Sequence, residues 1–271
     1  MPFFKRMQTI VPQHPIPIKR LLGYQMANLQ GIGTRERQED SFSFINAMDV
    51  LEIKNNGLMA LMADGMGGMQ DGKLVSEAAI AAVADDFRRM DRQKNLCVQL
   101  KESMYRTNDI LYDQFHGSGG TTMVACIFYQ ENLYFSSVGD SFLYLKRGDG
   151  IYRLNREQTC RQEAYLLQLQ IGSLDTTEAD ADEDGPRLSQ FLGCAELEEI
   201  DTLCRPLRIQ EGDIFLLCSD GVGGVLKAPV LLDCLNEPTP ERSCMRIEQN
   251  IQAQRRPSQD NYTALVIACR Y

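Results

Sequence analysis

The sequence predicts an α+β fold in which mostly antiparallel sheets pack together and are flanked by pairs of helices. Short apolar or alternating runs typical of strands recur along the chain, and two neighbouring long segments repeat apolar residues at helical spacing. The strands occur in clusters, whereas a parallel, doubly wound sheet would need strand and helix to alternate. The 271 residues, 44% of them hydrophobic, would fit one large domain or two small ones, and no linker divides them.

The predicted strands are short apolar or alternating runs that end near turn-forming residues. They cover residues 24–31, 41–46, 57–63, 121–129, 132–138, 142–147, 150–154, 213–219 and 262–269. Residues 58–63 and 214–218 are apolar throughout, which is typical of strands that are covered on both faces.

The predicted helices form two pairs. Residues 73–90 and 96–115 carry apolar stripes and are joined by a short polar stretch, which favours an antiparallel pair. Residues 229–235 and 241–254 indicate a second pair near the end of the chain. Residues 1–22 are predicted as an extended N-terminal arm ahead of a domain spanning residues 23–271. The acidic stretch 172–186 has little apolar content and predicts a mobile surface insertion.

Composition argues against several classes of protein. The net charge of −9 disfavours a nucleic-acid binder, which usually presents a basic face. No window reaches the ~20 apolar residues that span a membrane, and the first residues lack the apolar stretch of a signal peptide. The nine cysteines include no C-x-x-C pair and are expected to be free thiols in a reducing cytoplasm. The two histidines have no cysteine pairs at ligand spacing, which argues against a zinc site.

Carboxylates recur where predicted strands begin or end, each beside glycine or another turn former. Such positions can converge on one rim of a sheet, where glycine lets a backbone carbonyl approach a ligand. A cluster of carboxylates repels itself unless divalent cations bind, and all-oxygen ligands favour Mg²⁺ or Mn²⁺ over zinc. The residues concerned are Glu39, Asp40, Asp64, Asp140, Asp220 and Asp260.

The order of these motifs resembles that of the metal-dependent protein phosphatases, the protein phosphatase 2C-like family, in its bacterial serine/threonine branch. The resemblance runs from about residue 24 to residue 268. The motifs, in order, are Gly33-Thr34-Arg35-Glu36-Arg37-Gln38-Glu39-Asp40, Ala63-Asp64-Gly65-Met66-Gly67-Gly68, Gly120-Thr121-Thr122, Val138-Gly139-Asp140-Ser141, Leu216-Leu217-Cys218-Ser219-Asp220-Gly221 and Asp260-Asn261-Tyr262-Thr263.

The resemblance implies a central antiparallel β-sandwich with helix pairs on both outer faces, a four-layer αββα fold. It also implies a metal site with two core ions of Mg²⁺ or Mn²⁺ and a weaker third. Asp64 would bridge the core ions, and the Gly65 carbonyl would complete the first. Asp220 and Asp260 would hold the second ion, and Asp140 would join Asp220 at the third.

The remaining implied roles are catalytic. Arg35 would bind the substrate phosphate, and Glu39 and Asp40 would act mainly through metal-bound water. Water activated by both metals would then attack phosphoserine or phosphothreonine directly. The protein would be a cytoplasmic monomer that acts on phosphorylated proteins of a cognate serine/threonine kinase pathway, without nucleic-acid or membrane partners. The alternatives are a catalytically weak pseudophosphatase that serves as a scaffold, and a dedicated phosphatase of a bacterial partner-switch protein.

Two positions near the predicted site depart from the family. Met66 stands where some relatives carry a histidine proposed as general acid, and methionine cannot donate a proton. Phe142 stands where an arginine is usual. Altered motifs also flank the predicted flap, residues 160–187, and they bear on substrate preference more than on chemistry.

Overall fold

The protein is built on two antiparallel β-sheets. The computed structural model describes residues 22–66 and 72–271, so residues 1–21 of the predicted arm, together with Gly67 and Gly68, lie outside the described part. The strands are β1 (Gly23–Gly31), β2 (Ser41–Ile45), β3 (Leu58–Ala63), β4 (Met123–Tyr129), β5 (Asn132–Val138), β6 (Phe142–Arg147), β7 (Gly150–Arg153), β8 (Asp201–Thr202), β9 (Leu207–Arg208), β10 (Ile214–Cys218) and β11 (Tyr262–Arg270).

The two sheets differ in strand order and share no strand. One sheet runs β1-β11-β10-β6-β7, and the other runs β2-β3-β4-β5-β8, with β9 also paired to β5. Every pairing is antiparallel, which confirms the predicted sheet type. All nine predicted strands are present within one or two residues of their predicted bounds.

The two strands predicted to be covered on both faces, β3 and β10, are buried at every position. In β3, Leu58 and Met62 face the core between the sheets, while Met59 and Leu61 face a second core beneath helices. Each large apolar side chain buried in this way contributes about 1.5–3 kcal/mol to stability. Burial on both faces therefore explains why these strands lack the usual alternation of polar and apolar residues.

Helices cover the outer faces of both sheets, which confirms the four-layer αββα prediction. They are α1 (Val50–Asn56), α2 (Gly72–Arg89), α3 (Leu96–Phe115), α4 (Cys160–Gln170), α5 (Thr177–Ala181), α6 (Asp220–Gly223), α7 (Ala228–Cys234) and α8 (Pro240–Ala253). The pair α2 and α3 packs on the sheet that contains β3. The pair α7 and α8 packs on the sheet that contains β10.

Four helices were not predicted: α6 is a single turn of four residues, and weak burial explains why the other three were missed. Helices α1 and α4 have no buried residue, so neither carries the apolar stripe that reveals a helix in sequence. Helix α5 buries only Ala179. Helices α4 and α5 lie within the predicted flap, residues 160–187, so the acidic stretch 172–186 contains the short helix α5 rather than only irregular chain.

The described residues begin at Leu22, which is buried in the core between the two sheets. None of the helices within residues 22–66 and 72–271 has the length and apolar character needed to cross a membrane. All nine cysteines lie in this part of the chain and all are free thiols, as expected from their spacing.

Candidate metal centre

Five loops meet at one rim of the sandwich, because the antiparallel registers bring the relevant strand ends together. In one sheet Ser41 pairs with Ala63, and in the other Cys218 pairs with Phe142. The loops that leave these ends carry every residue predicted for the site. They hold Arg35, Glu39 and Asp40 between β1 and β2, Asp64 and Gly65 after β3, Asp140 between β5 and β6, Asp220 after β10, and Asp260 before β11.

These loops enclose a cavity of about 190 Å³. Seven of the eight predicted site residues line it, and Asp40 alone lies behind the wall. The complete lining is Arg35, Glu39, Asp64, Gly65, Met66, Thr122, Asp140, Leu188, Asp220, Asp260 and Asn261. The residues from Arg35 to Asp260, distant in sequence, therefore form one site.

Two threonines at the start of β4 fix the position of Asp64. The Asp64 backbone N–H donates to Thr122 Oγ1 at 3.1 Å, and the Asp64 carbonyl accepts from the Thr122 N–H at 2.9 Å and from Thr121 Oγ1 at 2.8 Å. Strand β4 begins at Met123, two residues later than predicted, although the Asp64–Thr122 and Gly65–Thr121 contacts continue the register of β3 and β4 beyond the strand.

Gly65 shows why the motif after β3 needs glycine. A Cβ atom at this position would lie 2.3 Å from the Gly72 carbonyl oxygen and 2.7 Å from the Glu39 carbonyl oxygen. No side chain fits between these backbone atoms, whereas glycine lets the turn approach the cavity closely.

The carboxylates raise one another's proton affinity. Burial, followed by repulsion from Asp40, Asp220, Asp140 and Asp260, holds the pKa of Asp64 well above its usual range. Burial, followed by repulsion from Asp220, raises the pKa of Asp140 to about 7. Burial also raises the pKa of Asp220, with further repulsion from Asp260. The cluster therefore needs positive charge, whether protons or cations, to stay compact.

Asp40 provides the sharpest indication that a cation belongs here. Its Oδ2 accepts hydrogen bonds from Thr263 Oγ1 at 2.6 Å and Ser219 Oγ at 3.1 Å, while its buried Oδ1 has no partner among the described residues. Burial raises the pKa of Asp40 to about 6, although these hydroxyl bonds act in the opposite direction. A buried carboxylate oxygen without a partner is costly, and a nearby cation or its water would satisfy it.

The donor set fits Mg²⁺ or Mn²⁺, because it consists of carboxylate oxygens and a carbonyl. Within residues 22–66 and 72–271, however, no three His, Cys, Asp or Glu side chains already surround a single point as one ion would need. Asp260 explains part of this, since its Oδ2 accepts from Arg35 Nη2 at 2.5 Å and its Oδ1 accepts from the Asn261 N–H at 2.8 Å. An ion that Asp260 ligates would therefore share these oxygens with Arg35 and the Asn261 N–H.

Arg35 is placed to bind an anion at the mouth of the cavity. Its side chain is 53% exposed, and its only hydrogen bond within the described chain is the one to Asp260, which is 39% exposed. Its other guanidinium N–H groups are therefore available to phosphoryl oxygens, in the fork geometry that arginine provides.

Several residues that contact the site were not singled out from the sequence. Arg153 stacks over the Phe142 ring at 4.0 Å, and its Nη2 lies 3.5 Å from the Asp140 carbonyl oxygen. Arginine is usual in the family at the position of Phe142. Arg153 therefore places a guanidinium group next to that position from a different strand. Lys73 donates from Nζ to the Asp40 carbonyl at 2.8 Å. These contacts join residues that are not neighbours in sequence, so no local pattern predicts them. Among the residues that contact the site, only the threonines and serines inside the quoted motifs could have been found from the sequence.

Comparison with known proteins points to one family. The pattern that describes protein phosphatase 2C matches residues 26–164, just over half of the chain. The serine/threonine phosphatase Stp of Listeria monocytogenes is 29% identical over 181 residues, which cover 64% of this chain and 69% of that protein.

Solved structures resemble the whole described fold. The crystal structure of the Mycobacterium tuberculosis serine/threonine phosphatase PstP/Ppp has a TM-score of 0.74 at 24% identity, covering 93% of this chain and 100% of that one. The catalytic domain of PstP in complex with two manganese ions has a TM-score of 0.72 at 24% identity, with the same coverage. At this identity the likeness concerns the fold.

Proposed function

Because the chain belongs to the protein phosphatase 2C family, we propose that it is a metal-dependent serine/threonine protein phosphatase that hydrolyses phosphoserine and phosphothreonine in other proteins. The observation that carries this proposal is the convergence of four cavity-lining aspartates and one exposed arginine on a cavity of about 190 Å³. This is the arrangement that hydrolysis of an anionic phosphate ester needs, with ligands for cations beside a group that binds the substrate.

The carboxylates would divide between two core ions and a third. Asp64 would bridge the core ions, the Gly65 carbonyl would complete the first, and Asp220 and Asp260 would hold the second. Asp140 would join Asp220 at the third. When bound, such a pair of cations lowers the pKa of water and offsets charge on the phosphoryl oxygens. The catalytic domain of PstP, which has been solved in complex with two manganese ions, supports the proposal of two core ions.

The chain's own groups position the substrate and the attacking water. Arg35 would bind the phosphoryl group through the N–H groups that Asp260 leaves free, and so would hold the phosphorus atom over the carboxylates. Glu39 lines the cavity, where its carboxylate can accept hydrogen bonds from water. Asp40 would act from behind the wall, through water, by means of its unpartnered Oδ1.

Met66 lines the cavity but has no proton to give, so the departing serine or threonine oxygen would take its proton from solvent. The cavity is open enough for this, because Arg35 at its mouth is half exposed. We therefore expect the pH dependence of turnover to lack the step that a histidine general acid would add.

The cellular setting follows from the same chemistry. The enzyme would oppose a serine/threonine kinase and would act as a cytoplasmic monomer. Nine free thiols support a reducing compartment, where disulfides are rare. Size-exclusion chromatography with light scattering would test the monomer, and a mass near twice 30.6 kDa would contradict it.

The decisive test is hydrolysis of p-nitrophenyl phosphate and of a phosphothreonine peptide, with Mn²⁺ or with EDTA. Asp64→Asn and Asp220→Asn should abolish both activities, whereas Asp113→Asn, an exposed carboxylate on α3, should leave them unchanged. Activity that survives EDTA or the two site substitutions would refute the metal mechanism. Folded, Mn²⁺-saturated protein without activity on either substrate would favour the scaffold alternative.

A further inference from the structure

The loop that carries Arg35 has little to hold it in place. Residues 32–37 are all exposed, so apolar burial contributes little to their order. A segment with few buried contacts opens at a low free energy unless specific hydrogen bonds restrain it. The position of Arg35 over the cavity must therefore come from polar contacts with a neighbouring part of the chain.

The neighbouring part is the loop of residues 259–261, which also carries Asp260. The two loops touch so closely that a Cβ atom on Gly33, whose φ is +63°, would lie 2.3 Å from the Asp260 carbonyl oxygen. Thr34 donates from its N–H at 2.8 Å and from its Oγ1 at 3.0 Å to the Gln259 carbonyl.

The side chain of Asn261 spans the whole Arg35 loop. Its Nδ2 donates to the Ile32 carbonyl at 2.9 Å and to the Arg37 carbonyl at 3.0 Å, so one amide group holds both ends of the turn. Its Oδ1 accepts from the Glu39 N–H at 2.7 Å. Three of the four hydrogen-bonding positions of the amide are thus used on one loop, and the residue is only 5% exposed.

We propose that Asn261 is a positioning residue that fixes Arg35 and Glu39 relative to Asp260, and so sets the distance between the phosphate-binding group and the metal ligands. Its backbone adds a second connection, since a Cβ on Gly221 would lie 1.9 Å from the Asn261 carbonyl oxygen, beside Asp220. Asn261 therefore links three loops, which carry Arg35 and Glu39, Asp260, and Asp220, through one buried side chain and its backbone.

The chemistry of the amide distinguishes this role from simple packing. Both carbonyls need a donor and the Glu39 N–H needs an acceptor, a combination that asparagine provides and aspartate of the same shape does not. Aspartate would place an oxygen against two carbonyl oxygens. We therefore expect Asn261→Asp to be at least as damaging as Asn261→Ala, although it conserves volume.

The first test measures the restraint itself and needs no catalytic activity. Amide hydrogen exchange, followed by mass spectrometry, should become about tenfold faster or more in residues 32–39 of Asn261→Ala and Asn261→Asp. Asn108→Ala is the matched control, because Asn108 is 4% exposed and its side chain bonds to the Gly193 N–H and the Cys194 carbonyl, away from this loop. Exchange in residues 32–39 that is unchanged in both Asn261 variants, or equally fast in Asn108→Ala, would overturn the proposal.

The second test is a double-mutant cycle on the KM for a phosphothreonine peptide, and only this part rests on the proposed function. Asn261→Ala should raise KM about tenfold in the wild-type background. In the Arg35→Ala background it should raise KM little further, because the group it positions is gone. Equal factors in both backgrounds would show that Asn261 acts independently of Arg35. Inactive wild-type protein would refute the proposed phosphatase, while the exchange result would still decide whether Asn261 restrains the loop.

Discussion

Replacing Arg35 with alanine gives the most direct test of how the substrate is held. The guanidinium makes one bond to the described chain, to Asp260, and presents its remaining N–H groups to the cavity mouth. Hydrogen bonds to a charged group contribute about 1.5–3 kcal/mol each, and the half-exposed position favours the lower end of this range. At that lower end, loss of two such bonds would cost about 3 kcal/mol, so KM for a phosphopeptide should rise roughly 100-fold.

The metal affinity should respond much less to the same substitution. The Arg35–Asp260 pair is exposed to solvent on both sides, and pairs of this kind contribute about 1 kcal/mol or less. Isothermal titration of Mn²⁺ should therefore show a change below about fivefold, toward tighter binding, because Asp260 loses a competing partner. Arg35→Lys serves as the control that keeps the charge without the fork, and its KM should lie between the other two. An unchanged KM, or a large loss of Mn²⁺ affinity, would show that Arg35 serves the metals instead of the substrate.

Three further outcomes follow from the charges. Burial raises the pKa of Asp140 to about 7, whereas the pKa of this group in the unfolded chain is near 4. The metal-free fold is therefore most stable below about pH 4 with respect to this group, and it loses that stability as pH rises through 7. The melting temperature measured with EDTA should fall from pH 5 to pH 8, and saturating Mn²⁺ should remove the trend. Asp64→Asn should raise the metal-free melting temperature at pH 8 while abolishing activity, because it removes repulsion from buried carboxylates; a lower melting temperature would contradict the repulsion. Arg147→Met should lower the free energy of unfolding in urea by about 2–4 kcal/mol, because it leaves Asp213, only 1% exposed, without its bidentate partner. Activity per folded molecule should be unchanged, because this pair lies at the end of β10 opposite to the site.

The sequence predicted the elements whose burial leaves a pattern. Strands β3 and β10 are apolar throughout, and α2 and α3 carry apolar stripes, so their bounds lie within two residues of those predicted. The short strands β8 and β9 have two residues each, which is too few to show alternation. Helices without buried residues give no apolar signal, whatever their capping.

The residues of the site likewise divide into those that the sequence predicts and those that it does not. The aspartates that line the cavity stand at strand ends, and the order of the motifs suffices to place them on one rim. The environment of Asp40 could not be predicted, because its hydroxyl partners Ser219 and Thr263 are 179 and 223 residues away in sequence. Hydrogen bonds over such separations depend on the registers of both sheets, and no local pattern records them.

The placement of the site explains how the fold tolerates so much like charge. Asp64 and Asp220 follow β3 and β10, two strands that are buried along their whole length, so the ends that carry them are held by interior strands of the two sheets. The free energy that the carboxylates cost is local to the rim, whereas the apolar burial that offsets it is spread over three cores. Cations that bind only the folded rim would add stability in proportion to the logarithm of their concentration above Kd. Activity should consequently saturate with Mn²⁺ near the concentration above which the melting temperature begins its logarithmic rise, because the same carboxylates govern both.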